Sequence, residues 1–222
     1  MEHFAAPEPN MKRWMTYAVA GLLALGAGYF ASQLNHKTPS GTRKILEGGT
    51  ALAGEKKSLP TFKLTDKNNQ PLTNEQFKEH WSYLFFGYTH CPDVCPTALQ
   101  NMAEMLSILD KTGANKKFQA IFISVDPERD NTQTLKTYVD YFDPRIVGAS
   151  GKKAELDKLT QQLGIIYLRT ENPDNPEQYL VDHSAQILVI NPRGEFTAVL
   201  SPPHQPTVMA DDLQRLRQAY ND

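Results

Sequence analysis

The sequence predicts an α/β domain, a mixed sheet flanked by helices, behind one N-terminal transmembrane helix. Three observations carry this. Short apolar runs at residues 83–86, 120–125 and 187–190 have the length and composition of buried strands. Between and after them, apolar residues recur at helical spacing, as in Leu99, Met102, Leu106 and Leu109. Residues 14–35 carry no charged side chain, and a helix needs about 20 such residues to cross the hydrocarbon of a bilayer. The mean hydropathy of −0.48 shows that the rest of the chain is hydrophilic, which argues against a core helix at 14–35.

The elements follow in order. Residues 1–13 form a short tail and 14–35 the anchor, with Trp14, Tyr17, Tyr29 and Phe30 near its ends, as interfacial aromatics tend to lie. Lys12 and Arg13 resemble the start of a signal peptide, but the apolar run is longer than a signal peptide needs and no small-residue cleavage site follows it. Lys12 and Arg13 before the span nearly balance Lys37, Arg43 and Lys44 after it, so flanking charge alone does not orient it. A short tail inside and a long domain outside is the expected arrangement. Glu2 and Glu8 argue against a mitochondrial presequence, and the expected location is a bacterial inner membrane with the C-terminal domain facing the periplasm.

Residues 36–58, with Pro39, Gly41, Gly48, Gly49 and Gly54, read as a tether with some structure near its end. The domain is expected over 59–222. Phe62 and Leu64 alternate with polar residues before the turn Asp66-Lys67-Asn68-Asn69-Gln70-Pro71, giving a small hairpin. The strand at 83–86 leads to the helix of Leu99 to Leu109, and the strand at 120–125 to a helix carrying Leu135, Tyr138, Val139 and Phe142. Leu156, Leu159 and Leu163 mark a third helix, which Gly164 stops. The strand at 187–190 turns through Asn191-Pro192-Arg193-Gly194 into 196–200, and Thr207 is expected to cap a last helix. The first half should give parallel strands and the second half antiparallel ones in the same sheet. That is a thioredoxin-like arrangement.

Composition excludes several functions. The chain has 222 residues, enough for one good-sized domain plus appendages. A net charge of −2 gives no reason to expect nucleic-acid binding. The two cysteines, Cys91 and Cys95, are too few for a disulfide scaffold or a four-thiolate zinc site.

Those cysteines lie in Gly87-Tyr88-Thr89-His90-Cys91-Pro92-Asp93-Val94-Cys95-Pro96-Thr97, between a buried strand and a helix. This is the strand edge where open α/β sheets place ligands. Pro96 suits the first turn, and the unpaired N–H groups there favour a thiolate. The spacing is Cys-x-x-x-Cys, which lets two sulfurs face a common point as metal ligands. Two thiolates with one imidazole suit copper or zinc. His80, His90, His183 and His204 are available as the third ligand. If the strand at 187–190 is antiparallel to the one at 83–86, its start shares an edge with the Cys loop, and His183 is then the best candidate. Asp182 is expected to orient its imidazole or balance charge. In Ser124-Val125-Asp126-Pro127-Glu128-Arg129-Asp130, Asp130 or Asn131 is a candidate helix cap, while Asp126 and Arg129 are candidates for support of the site or for a partner surface.

Together, the motif from Gly87 to Pro96, Val125-Asp126-Pro127-Glu128-Arg129-Asp130 and Val181-Asp182-His183-Ser184 resemble the Sco/SenC family of copper proteins. The resemblance runs from about residue 59 to the C-terminus, and the N-terminal span also fits. It implies a thioredoxin-like fold and one copper ion held by Cys91, Cys95 and His183. It further implies delivery of copper, or of reducing equivalents, to the dinuclear copper centre of cytochrome c oxidase subunit II.

Two other functions share these residues. A thiol–disulfide oxidoreductase would use Cys91 and Cys95 without needing His183. A redox or copper sensor would signal through contact with a membrane partner. A peroxidase is disfavoured: Cys95-Pro96-Thr97 matches the peroxiredoxin loop, but Pro92 stands where that loop needs a threonine.

Overall fold

The computed structural model describes residues 46–52, 57–175 and 178–221. The expected tail, the anchor at 14–35 and the first part of the tether lie outside the described residues. Among the described residues no helix is long and apolar enough to cross a membrane.

The strands are β1 (Gly49–Ala51), β2 (Lys57–Ser58), β3 (Lys63–Asp66), β4 (Pro71–Thr73), β5 (Trp81–Gly87), β6 (Phe118–Ser124), β7 (Val147–Ser150), β8 (Tyr167–Thr170), β9 (Leu180–His183), β10 (Ile187–Ile190) and β11 (Glu195–Leu200). The helices are α1 (Val94–Lys111), α2 (Thr132–Phe142), α3 (Lys153–Leu163) and α4 (Pro206–Asn221). The main sheet runs β1-β11-β10-β5-β6-β7-β3-β4, with β2 also paired to β11. β5, β6 and β7 are mutually parallel, while β10 runs antiparallel to β5 and β11 antiparallel to β10. This is the mixed, helix-flanked sheet that the sequence predicts.

β5 is buried along its whole length, as a central strand covered on both faces must be. Successive side chains point to opposite faces. Tyr83 and Phe85 therefore enter one core with α1, α2 and α4, while Leu84 and Phe86 enter a second with α3, Tyr179 and Val181. The helix stop is also as expected: Gly164 has a φ of 70°, a left-handed conformation that costs a glycine little.

Two expectations change. The end of the expected tether belongs to the sheet, which starts at Gly49 rather than at residue 59. β1 pairs with Leu200 to Ala198, Leu46 is buried, and the Glu47 and Gly48 amides donate to buried Asp212, each at 2.8 Å. An uncovered β11 would leave a row of unpaired backbone groups, and β1 and β2 cover it. Thr207 does not cap the last helix. The Met209 amide already donates to the Gln205 carbonyl at 2.9 Å, so α4 begins at Pro206, a favoured residue for the first helical position. β8 and β9, which the sequence did not mark, form a separate two-stranded hairpin, with Tyr167 paired to His183.

Candidate metal centre

The site forms where three chain segments meet at one sheet edge. β5 ends at Gly87, β6 ends at Ser124, and β10 starts at Ile187, which pairs with Phe85. The loop at 88–93 carries Cys91, and Cys95 is the second residue of α1. Cys95 is fully buried and Cys91 partly so. A Cβ on residue 87 would collide with the Cys95 sulfur, so the strand must end in glycine for that sulfur to sit there.

Buried Asp130 pins the Cys loop. Its carboxylate accepts from the Thr89 amide at 2.9 Å, the Thr89 hydroxyl at 2.6 Å and the Ser124 hydroxyl at 2.5 Å. The cap of α2 is instead Asn131, which accepts from the Thr134 amide at 2.9 Å.

The structure brings Cys91, Cys95 and His183 together, with one ligand atom from each lying within 4.8 Å of the others. Cys95 Sγ lies 3.2 Å from His183 Nε2. His183 Nδ1 lies 3.2 Å from the Ser184 carbonyl, to which it donates, leaving Nε2 to face the sulfurs. The imidazole meets Phe85 and Tyr88 edge to face, each at a centroid distance of 5.9 Å.

The two sulfurs differ electrostatically. A hydrogen bond from the Cys95 thiol pushes the Cys91 thiol far below its usual range. Burial opposes this, while the Asp93 and Cys95 backbone N–H groups reinforce it. Cys95 is pushed up, as the donor in that bond and by burial. The pair is thus polarised, with negative charge favoured at the partly exposed Cys91 and disfavoured at the buried Cys95. Such a pair can bind a soft metal or exchange with a disulfide.

Among the described residues, the other histidines stand apart from this centre. His80 bonds the Lys78 carbonyl at the far end of β5. His90 is exposed and turns to Thr89 at 3.1 Å. His204 is buried, with Nε2 at 2.8 Å from the Ala185 carbonyl.

Asp182 does not orient the imidazole. Neighbours on a strand point to opposite faces, so Asp182 is exposed and accepts from the Thr170 hydroxyl at 2.9 Å. Asp126 is not an open partner surface either. It is 4% exposed and accepts from Arg129 Nε at 2.5 Å and the Tyr179 hydroxyl at 2.6 Å. Arg129 lies 5.6 Å from the ring centroid of Tyr88, the residue that touches His183. Tyr88, Phe85 and Tyr179 were not singled out by the sequence for the site. Tyr88 sits inside the Cys motif and was the one with a readable signal.

A thioredoxin-like domain with two sulfurs and an imidazole converging at the sheet edge defines a class of dithiol centres. The SCO1/SenC family model matches residues 50–218, and the chain belongs to that family. It is similar to "Protein SCO1 homolog, mitochondrial" of Mus musculus, with 33% identity over 195 residues, covering 86% of this chain and 66% of that protein. It is 36% identical over 159 residues to "Protein SCO2 homolog, mitochondrial" of Danio rerio, covering 72% of this chain and 57% of that one. The chain thus spans less than two thirds of the length of these relatives. Among solved structures, "Structure of Bradyrhizobium japonicum ScoI with copper bound" is similar at 39% identity and a TM-score of 0.65, over 71% of this chain and 98% of that one.

Proposed function

We propose that this protein is a membrane-anchored copper carrier. In this reading it delivers copper to the dinuclear copper centre of cytochrome c oxidase subunit II, from a domain facing the periplasm. The observation that carries the proposal is the convergence of Cys91, Cys95 and His183 within 4.8 Å. Two sulfurs and one imidazole are soft donors suited to copper, and Cys91 and His183 are partly exposed, which gives the ion a way in and out. The copper-bound ScoI of Bradyrhizobium japonicum supports the choice of metal.

In this mechanism copper is the cargo. Cys91, already favoured as the thiolate, makes first contact at the surface. Cys95 then gives up its proton and closes the chelate from below, and His183 completes the set. Release runs in reverse, with acceptor ligands replacing the exposed ligands first and the buried Cys95 last. The test is to mix the copper-loaded full chain with a reduced, metal-free dinuclear-copper acceptor domain. The expected result is movement of copper into the acceptor, read by its own absorption spectrum. Failure to transfer under those conditions contradicts the proposal.

A second reading is favoured by one observation: both cysteines are free and their sulfurs lie within 4.8 Å of each other. The same pair could reduce an oxidised acceptor before it takes up metal. Metal-free protein and an oxidised acceptor peptide distinguish the two readings. Undiminished thiol transfer in a His183→Ala variant that no longer delivers copper would favour the reductase.

A further inference from the structure

We infer that Arg129 and Tyr179 are positioning residues for the metal centre: with Asp126 they clamp the β8–β9 hairpin so that His183 faces the two cysteines. The inference rests on the proposed role of His183. Among the described residues, the hairpin that carries His183 forms no ladder with the main sheet. Its outer face leaves Ile166, Leu168 and Leu180 exposed, so contacts on its inner side must hold it.

Those contacts converge on Tyr179, the residue just before β9. Its hydroxyl donates to Asp126 at 2.6 Å, and its carbonyl accepts from Arg129 Nη1 at 3.0 Å. The Arg129 guanidinium lies 3.5 Å from the centre of the Tyr179 ring and that of Arg169 3.6 Å. Two groups so close to one ring centre must occupy opposite faces, so the ring is held between two cations. Arg169 is in turn paired with Glu128 at 2.7 Å. Asp126 is fixed to the sheet edge, where its amide donates to the Ser124 hydroxyl at 3.0 Å. A continuous set of bonds thus ties the end of β6, which also anchors the Cys loop through Asp130, to the strand that presents His183. Arg129 adds a second route through Tyr88, whose ring meets the imidazole.

The test uses the full reduced chain with Arg129→Ala and Tyr179→Phe, each alone and combined with His183→Ala. Copper affinity is measured by competition titration. Each variant alone should bind about tenfold more weakly, as for other residues that hold a metal ligand in place. In the His183→Ala background neither should weaken binding further, because both act through the missing imidazole. Equal losses in both backgrounds, or no loss in either single variant, would overturn the clamp. If Arg129→Ala does not fold, Tyr179→Phe carries the same comparison, since it removes only the hydroxyl bonded to Asp126. Amide exchange of the metal-free protein gives a second readout. Residues 180–183 should exchange faster in the single variants while 81–87 do not change, and a uniform rise or no rise would contradict the clamp. Unchanged copper affinity in His183→Ala alone would overturn the ligand reading instead, and the exchange result would then decide the clamp by itself.

Discussion

Gly87 shows how much one missing methyl group can decide. A Cβ built there would run into both the Cys95 sulfur and the Phe122 ring, the latter at 2.9 Å. A Gly87→Ala variant must displace both, the sulfur most. Overpacking of this kind costs about 1–3 kcal/mol. Copper affinity should fall along with urea stability, because the displaced sulfur is a candidate ligand. Normal affinity in a stably folded Gly87→Ala protein would show that the sulfur tolerates displacement. Asp130→Ala should be more damaging to the fold, about 3 kcal/mol by denaturant titration, since it leaves the Thr89 and Ser124 donors without their acceptor. At this scale the sequence was most readable where chemistry depends on spacing. Cys91, Cys95 and the edge argument for His183 needed only strand order. Of the roles expected for Asp182, only orienting the imidazole conflicts with the structure, because neighbours in a strand point to opposite faces. Asp126 and Arg129 were visible as a motif, but their partner Tyr179 lies in a distant, Pro- and Asn-rich stretch, so their job was not.

Among the elements, the strands with continuous apolar runs and the amphipathic helices were legible, because burial on two faces or one leaves a periodic mark. β7 was not, since Val147-Gly148-Ala149-Ser150 is short and small. β8 and β9 were hidden because one face carries exposed Leu168 and Leu180, which breaks the expected alternation. β1 and β2 look like linker and become strands only because β11 offers them an edge. Asp212 holds this edge in place, accepting from the Glu47 and Gly48 amides and from Arg215 Nη1 at 2.9 Å. Asp212→Ala should therefore cost about 2 kcal/mol and speed amide exchange at 46–51 while leaving copper affinity unchanged. A loss of copper affinity without a loss of stability would mean that this edge matters to the site.

Across the folded domain, acid sensitivity should come from carboxylates paired in the native state. Hydrogen bonds from Lys136 and Lys67 hold the Asp140 carboxyl below its usual range. For Asp143, burial pushes upward, but hydrogen bonds and charge from Arg145 outweigh it and the carboxyl ends lower. A depressed native pKa gives stability that is present above the unfolded value, about 3.9, and is lost as pH falls through the native value. Unfolding free energy should thus be flat in this respect above about pH 5 and decline below about pH 4, and Asp140→Asn should shallow that decline. An acid limb unchanged by that substitution would assign the sensitivity elsewhere. The central claim concerns the metal. The most direct measurement is titration of the reduced full chain with Cu(II), followed by thiolate charge-transfer absorption and metal analysis, beside Cys91→Ser, Cys95→Ser and His183→Ala. One copper per chain with an intense sulfur-to-copper band, lost or sharply weakened in all three variants, is the predicted result. Wild-type copper retention and an unaltered band in His183→Ala would contradict the three-residue centre.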